Sequence, residues 1–371
     1  MKHYEVRGYT FVTNSKNSQD EGFGRGLKNT TYLWRVNTMG AADKDVDALA
    51  AQLDEDEKIR NSAKTVIETC MQLRGHENLL IITDPNTAEI GQALYEAGSQ
   101  ISDRVLMVMM PSTHRHGQEP PSPVADLMRR QHVVIAATRY SLTHTRARLV
   151  SSKDGARIAT MPGVSRSMLI EGGMTADFDE LQSHIASMAR VLRKHRNITI
   201  SSQEGEALEF SIAGRWNLED NGICNRPGQV TNLPAGKIFA EVKPESVTGV
   251  IKVNGTWDSV SLSQPISILV DEGKIVDIQE SNEGGLNEQI IEFIDERMDT
   301  IKIIEFGFGM NPKARISGSA LEDEKVLGSC YIVLQQPATR RTHELRATGI
   351  LTDATVILGD KTLIENGKFK E

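Results

Sequence analysis

The stretch that decides the fold is residues 79–87, which read L-L-I-I-T-D-P-N-T. Such a short run of apolar and β-branched residues predicts a strand buried on both faces. The Asp-Pro-Asn-Thr segment then predicts a turn into a helix over residues 90–99. The same order recurs downstream, with strands predicted at 105–110, 133–137, 157–160 and 198–200 and helices at 124–130 and 179–194. This alternation predicts a parallel sheet with helices on its faces.

Beyond about residue 204 the pattern changes to short alternating strands separated by glycine turns. The predicted strands lie at 208–212, 238–242, 249–253, 266–270 and 274–278, with one helix at 286–298. We therefore predict an α/β fold class with an N-terminal parallel-sheet α/β domain over residues 46–203 and a C-terminal β-rich α+β domain over residues 204–371. A ligand site is expected in the cleft between them.

The segment before these domains, residues 1–45, is interpreted as a leader. It contains a glycine-rich turn at 22–26 and a candidate strand at 30–36, whereas residues 46–73 carry helical spacing. The G-F-G-R-G run lacks the preceding strand and following helix that a phosphate-binding loop requires, so a surface turn is the preferred interpretation.

Composition narrows the class of protein. The 371 residues suit two domains, and a net charge of −8 with interspersed signs argues against a nucleic-acid or anionic-membrane partner. No apolar run approaches the roughly 20 residues of a membrane span, and the N-terminus does not resemble a signal peptide. We predict a cytoplasmic protein.

The three widely spaced cysteines, Cys70, Cys224 and Cys330, form no metal-binding pair and are expected to be buried and free.

Several ordered motifs resemble one family, the aminopeptidase T-like metallopeptidases and their dihydroxypyridine dioxygenase relatives. The motifs are S-L-T-H-T-R-A-R (141–148), G-A-R-I-A-T-M-P-G (155–163), N-L-P-A-G (232–236), E-F-G-F-G-M-N-P (305–312), E-D-E-K (322–325) and the terminal segment 353–367. The resemblance spans residues 55–371, and it implies an aminopeptidase T-like fold and a homodimer.

The resemblance also implies a divalent metal site, whose ligand positions can be checked one by one. The glutamate expected after N-L-P-x-G is Lys237, whereas the glutamate before G-x-G-x-N-P is kept as Glu305. The expected histidine after E-x-E-K is Tyr331, and the expected H-x-D near the C-terminus falls on Arg346 and Thr348. Lysine and arginine cannot ligate a cation, so neither a zinc nor a non-haem iron ligand set can be filled. We predict no metal and no cofactor.

Two alternatives for a metal remain open. His343 and Glu344 would restore two ligands if the alignment slipped by three residues, although this breaks the spacing to the last strand. His114 and His116 could bind a metal from one face of an extended segment, but a solvated loop is the simpler interpretation.

Further polar residues are candidates for ligand contacts. His144 either faces the cleft, where it would bind a carboxylate or phenolate, or it fixes the loop after the strand at 133–137. Asn311 and Arg315 lie beside Glu305 in sequence and are treated in the same way. The complete predicted ligand-binding set is Lys237, Glu305, Tyr331, Arg346, Thr348, His144, Asn311 and Arg315.

Three functions are compatible with these residues. The first is a metal-free binding protein for a peptide or amino-acid-like ligand, similar to the peptide-binding proteins of crocagin-type modified-peptide biosynthesis, which would present its ligand to tailoring enzymes. The second is a metal-dependent aminopeptidase or ring-cleaving dioxygenase with a rearranged site. The third is a metal-free enzyme using Lys237, Tyr331 or Glu305 as acid or base. Under the first hypothesis Glu305 should pair with Lys237, Arg346 or both, because an unpaired buried carboxylate is costly.

Overall fold

The computed structural model describes residues 2–6, 9–13, 43–202, 205–258, 260–280, 288–338 and 344–370. Residues up to Asp54 form one compact unit and residues from Glu55 to the C-terminus form another. In the first unit, β1 (Lys2–Val6) and β2 (Tyr9–Thr13) pair as an antiparallel ribbon. The predicted glycine-rich turn at 22–26 and candidate strand at 30–36 lie outside the described residues.

A helical segment precedes the first strand of the parallel sheet. It consists of α1 (Asp43–Thr65) followed by a π-helical turn at Val66–Cys70, in agreement with the helical spacing predicted over residues 46–73. The turn is buried, and Val66, Ile67 and Cys70 point into the main core.

The second unit contains the predicted parallel sheet. Its spatial order is β4-β3-β5-β6-β9, and every neighbouring pair is parallel. The central strands are buried on both faces because helices cover each side, which is why their sequences are continuously apolar. The strands are β3 (Leu79–Thr83), β4 (Val105–Met109), β5 (Val133–Ala137), β6 (Arg157–Thr160) and β9 (Val230–Asn232).

Helices connect these strands. They are α2 (Ala88–Ser99), α3 (Ser122–Met128), α4 (Arg146–Lys153), α5 (Arg166–Ile170) and α6 (Phe178–Leu192), with a 3-10 turn at Gly173–Thr175. Side chains cap several of them: the Thr145 oxygen accepts from the Arg148 N–H at the start of α4, and Asp177 accepts from two N–H groups at the start of α6. The predicted α/β fold class is therefore confirmed.

The second sheet of this unit is an eight-stranded antiparallel sheet in the order β15-β14-β11-β8-β7-β19-β20-β21. Its strands are β7 (Asn197–Ser201), β8 (Ala207–Ser211), β11 (Thr248–Val253), β14 (Ile266–Asp271), β15 (Lys274–Glu280), β19 (Thr355–Leu358), β20 (Lys361–Glu365) and β21 (Lys368–Phe369).

One strand prediction was wrong in its placement. Residues 198–200 were expected to extend the parallel sheet, but β7 pairs antiparallel with β8. The connection between β7 and β8 is only a few residues long, which permits a hairpin and not the crossover that a parallel neighbour requires. The place beside β6 is taken by β9, which comes later in the chain. The domain boundary near residue 204 stays a prediction.

The third sheet carries the candidate site. It has six antiparallel strands in the order β10-β16-β17-β18-β12-β13. They are β10 (Lys237–Glu241), β16 (Lys302–Gly309), β17 (Cys330–Gln336), β18 (Leu345–Leu351), β12 (Thr256–Trp257) and β13 (Val260–Ser261). The remaining helical elements are α7 (Glu288–Ile294), α8 (Ala320–Asp323) and 3-10 turns at Pro244–Ser246 and Asp295–Thr300.

The two faces of this sheet differ in character because side chains alternate along a strand. One face sends Ile238, Phe306 and Ile332 into the main hydrophobic core. The opposite face carries charged and polar residues, Lys237 on β10 and Glu305 on β16 among them. Within the described part of the chain, no helix is both long and apolar enough to cross a membrane.

The three cysteines are buried and free, as predicted. Burial raises the pKa of Cys70 and Cys330 well above the usual thiol value and that of Cys224 to about 12, so none is a reactive thiolate at neutral pH.

Candidate functional site

The loop that follows β9 delivers Lys237 to the polar face of the six-stranded sheet. Gly236 has a φ of +118° and approaches Asn311 so closely that an added Cβ would lie 2.9 Å from the Asn311 Cβ. The backbone N–H groups of Gly236 and Lys237 donate to the carbonyl of Asp220 at 3.0 and 3.2 Å. This turn therefore requires glycine, and it fixes where β10 begins.

Glu305 and Tyr331 meet on the same face. The Tyr331 hydroxyl donates to Oε1 of Glu305 at 2.8 Å, and the ring lies across Gly307, the residue opposite Tyr331 on β16. A Cβ at Gly307 would come within 2.5 Å of the ring, so this close approach needs glycine. The G-x-G spacing of the E-F-G-F-G-M-N-P motif thus makes room for Tyr331.

Lys237 lies between carboxylates and aromatic rings. Its Nζ is 2.9 Å from Oε2 of Glu324 and 3.6 Å from Oε1 of Glu305. The same Nζ lies 4.6 Å from the centre of the Tyr331 ring and 5.0 Å from that of Phe239. Aromatic faces attract a cation, so the rings add to the stabilisation supplied by the carboxylates.

A second lysine completes the arrangement. Lys325 is fully buried; its Nζ contacts Oε1 of Glu324 and lies 3.6 Å from Oδ2 of Asp220. Glu324 is therefore shared between two ammonium groups. We refer to the six side chains Asp220, Lys237, Glu305, Glu324, Lys325 and Tyr331 as the buried charge cluster.

Burial and mutual attraction set the pKa values in the cluster. Burial alone would lower the pKa of Lys237, but the carboxylates of Glu324, Glu305 and Asp220 outweigh it and raise the pKa well above its usual value. Burial would raise the pKa of Glu324, but Lys237 and Lys325 hold it below its usual value. Both groups are therefore charged at neutral pH.

The pKa values of Tyr331 and Asp220 are both raised. The pKa of Tyr331 is raised well above its usual value by burial and by the carboxylates of Glu305 and Glu324. The pKa of Asp220 is raised by burial, which outweighs Lys325 and Lys237. Acid–base catalysis works best when the pKa of the catalytic group lies near the working pH. The raised pKa values therefore make Lys237 a poor general base and Tyr331 a poor general acid, because both groups hold their protons too tightly.

These residues do not fit a divalent metal. Lys237 places an ammonium between Glu305 and Glu324, where it donates a hydrogen bond to Glu324 and forms an ion pair with Glu305, whose oxygens a metal would need. In the part of the chain that the structure describes, no three His, Cys, Asp or Glu side chains lie close enough to hold a metal ion. His343, one residue of the alternative ligand pair, lies outside the described residues.

Arg346 and Thr348 lie on β18, two strands from Glu305. Glu305 pairs with Lys237, one of its two predicted partners. The other, Arg346, instead donates through Nε to Oε1 of Glu344 at 2.8 Å. Arg346 is half exposed, and solvent compensates its charge there. Thr348 uses its backbone N–H to bind Oδ1 of Asp258 at 2.7 Å.

His144 is exposed in the segment before α4. Partial burial together with the charges of Arg346 and Arg148 lowers its pKa, and Glu305 acts in the opposite direction. The imidazole is therefore neutral at physiological pH. Whether it contacts a ligand stays a prediction.

Asn311 and Arg315 occupy structural positions. The fully buried Asn311 amide donates to the carbonyls of Gly173 and Ala235 at 2.9 and 2.8 Å, and its oxygen accepts from the Lys313 and Ala314 N–H groups. Its hydrogen-bonding capacity is thus used by the backbone. The Arg315 guanidinium pairs on the surface with Glu171 at 2.7 Å.

The other two histidine candidates, His114 and His116, do not belong to a group of metal-ligating side chains among the described residues. His114 and His116 are both exposed. His116 accepts a hydrogen bond at Nδ1 from the Ser141 N–H at 3.1 Å and packs edge-on against Tyr140. Partial burial lowers the pKa of His116, in keeping with a neutral acceptor that fixes the loop.

Sequence reasoning missed Asp220, Glu324 and Lys325 as members of the site. Glu324 and Lys325 belong to the E-D-E-K motif, so a signal was present. Within that motif Glu322 and Asp323 bind backbone N–H groups nearby, whereas Glu324 and Lys325 reach the cluster. No sequence motif pointed to Asp220, because only the fold brings this residue beside Lys325.

Fold and motif order define an α/β protein of the aminopeptidase T type. AmpT from Thermus thermophilus superposes with a TM-score of 0.60 at 12% identity, over 85% of this chain and 99% of AmpT. The 2,5-dihydroxypyridine dioxygenase from Pseudomonas putida KT2440 superposes with a TM-score of 0.70 at 14% identity, over 85% of this chain and 97% of that protein.

A comparison with family models assigns the chain to one family. The model named NicX, 2,5-dihydroxypyridine 5,6-dioxygenase, matches residues 58–330, and the chain belongs to this family. A search of curated proteins gave no match.

Proposed function

We propose that this protein is a non-catalytic, metal-independent member of its family that binds a peptide or amino-acid-like ligand. The observation that carries the proposal is the position of Lys237 Nζ, 2.9 Å from Glu324 and 3.6 Å from Glu305. An ammonium held there neutralises the carboxylates that a metal would otherwise neutralise, and it occupies the space a metal would need.

Acid–base catalysis by the cluster itself has less support. The upward pKa shifts of Lys237 and Tyr331 leave neither group ready to exchange a proton at neutral pH. A site in which Lys237 stays protonated and Tyr331 stays neutral is better suited to recognition than to turnover. In this role the protein would present its ligand to tailoring enzymes of a modified-peptide pathway, as a cytoplasmic homodimer.

A second candidate is favoured by the family match over residues 58–330. In this case the protein would be a ring-cleaving dioxygenase or a metal-dependent aminopeptidase with a rearranged site. It would require Lys237 to leave the carboxylates, at the cost of exposing two buried anions to each other.

Elemental analysis of protein purified without chelators discriminates the two candidates. We expect zinc, iron, cobalt and manganese well below one ion per chain. With each metal added, we expect no hydrolysis of aminoacyl nitroanilides and no opening of the 2,5-dihydroxypyridine ring. A stoichiometric metal, or turnover that a chelator abolishes and one metal restores, would overturn the proposal.

A further inference from the structure

A pocket of about 240 Å³ opens on the polar face beside the buried charge cluster. It is lined by Glu241, Val242, Ile304, Glu305, Gln335 and Arg346. The lining combines two apolar residues, Val242 and Ile304, with charged residues of both signs. The pocket is therefore distinct from the cluster but shares Glu305 with it.

One side of the pocket carries two carboxylates. Glu241 on β10 and Glu305 on β16 are directly opposite each other in the antiparallel register. Like charges at opposed positions destabilise a sheet. Lys237 compensates Glu305, but Glu241 is exposed and its carboxylate has no hydrogen bond or ion pair to any described residue. This side is therefore complementary to a ligand cation.

The other side carries a guanidinium. Arg346 on β18 donates through Nε to Oε1 of Glu344 at 2.8 Å. This contact orients Arg346, and its two Nη groups make no hydrogen bond to the described residues. A guanidinium with two parallel N–H donors is the group best suited to bind a carboxylate.

The spacing of these groups limits the size of the ligand. Arg346 and Glu305 lie on strands separated by β17, and neighbouring strands are about 4.8 Å apart, so the two backbones are about 10 Å apart. The long side chains shorten the gap between the charges. A compact ligand with an ammonium and a carboxylate can therefore contact both sides at once.

We propose that this pocket binds a zwitterion of the size of an amino acid or dipeptide, with its ammonium on Glu241 and Glu305 and its carboxylate on Arg346. The inference rests on the proposed binding function and adds the chemical class and orientation of the ligand. Ile304, which is partly buried beside Tyr331 and Val333, supplies apolar surface for a small aliphatic side chain.

The test uses calorimetric titration of the full-length protein with four forms of one dipeptide. The forms are Ala-Leu, N-acetyl-Ala-Leu, Ala-Leu-amide and the doubly blocked N-acetyl-Ala-Leu-amide. We expect Ala-Leu to bind, and each single block to weaken binding about tenfold or more because it removes one charge-assisted contact. The doubly blocked form should bind most weakly.

Substitutions assign each end of the ligand. Glu241→Gln should weaken Ala-Leu about tenfold but leave N-acetyl-Ala-Leu unchanged, and Arg346→Gln should weaken Ala-Leu but leave Ala-Leu-amide unchanged. Matched controls are Glu245→Gln, at an exposed position in the 3-10 turn Pro244–Ser246, and Arg129→Gln, whose guanidinium pairs with Asp154 on the surface. Both controls should bind Ala-Leu like the unmodified protein.

The outcomes separate the two proposals. If all four forms bind equally, the pocket binds peptides but not through their charged ends, and only the zwitterion inference is overturned. If blocked forms lose affinity but neither substitution reproduces the loss, the site lies elsewhere and the assignment to this pocket is overturned. If no form binds at about 10 mM, a concentration that reveals even very weak complexes, both proposals are overturned.

Discussion

Lys237 Nζ lies 2.9 Å from Oε2 of Glu324, and only 12% and 11% of the two side chains is exposed to solvent. A buried ion pair of this kind gains little over an apolar pair of the same shape, but removing one partner leaves the other charge uncompensated. This energetics is consistent with the proposed role of Lys237 in place of a metal ion, and it does not favour a role in extra stability.

Replacing Lys237 with methionine should strongly destabilise the protein. The change leaves Glu305 and Glu324 without the ammonium between them, and the expected loss in the free energy of unfolding is about 3 to 5 kcal/mol. Urea unfolding at neutral pH measures it. Lys243→Met, at an exposed position just after β10, is the matched control and should change stability by less than about 0.5 kcal/mol. Equal effects would mean that the pairing contributes nothing.

Replacing Lys237 with glutamate should make the protein dependent on a metal. Three carboxylates would then surround the position of the ammonium, and they could coexist only if protonated or if bound to a cation. We expect a lower melting temperature than for Lys237→Met, and a rise on adding zinc that neither Lys237→Met nor the unmodified protein shows. Absence of a zinc effect specific to Lys237→Glu would contradict the metal-replacement explanation.

Gly307→Ala should disrupt the contact between Tyr331 and Glu305. A Cβ at residue 307 would lie 2.5 Å from the Tyr331 ring, and overpacking of this kind costs about 1 to 3 kcal/mol. In a Tyr331→Leu background the clash is absent, so the same change should be neutral or stabilising, because glycine is unfavourable within a strand. Gly214→Ala, where a Cβ meets nothing within 4 Å, is the control. An additive double-mutant cycle would show that the ring does not need the glycine.

Ionisation of Asp258 should lower the free energy of unfolding as the pH rises through the acid range. Burial raises the pKa of Asp258 from 3.8 to about 6, although its hydrogen bond from the Thr348 N–H acts in the opposite direction. Between these pH values the unfolded chain loses the proton while the folded chain keeps it, so the folded state binds more protons and is destabilised by rising pH. The loss is complete above about pH 6.

Asp258→Asn removes this loss because asparagine does not titrate. Relative to the unmodified protein, the variant should gain up to about 3 kcal/mol between pH 4 and pH 7, measured by urea unfolding at each pH. Asp360→Asn, at an exposed position, should show no such gain. A stability difference that is constant with pH would contradict an elevated pKa.

Much of the fold follows from local sequence. The runs at Leu79–Thr83, Val133–Ala137 and Arg157–Thr160 are strands with the predicted bounds, because continuous apolar character and flanking turn residues act within a few positions. Which strands pair with each other depends less on local sequence. The short connection between β7 and β8 was the signal that residues 197–201 turn back as a hairpin, but the apolar pattern alone is the same for either sheet.

The sequence by itself predicted which positions of the implied metal site have changed: Lys237 and Tyr331 stand where the resemblance implies a glutamate and a histidine, and Glu305 remains. Only the tertiary structure decided which charges meet. It brought Asp220 and Glu324 to the two lysines and turned Arg346 towards Glu344, away from Glu305. The physical reason is that the energy of a charge depends on its burial and on neighbours distant in the chain, and residue identity and spacing specify neither of these.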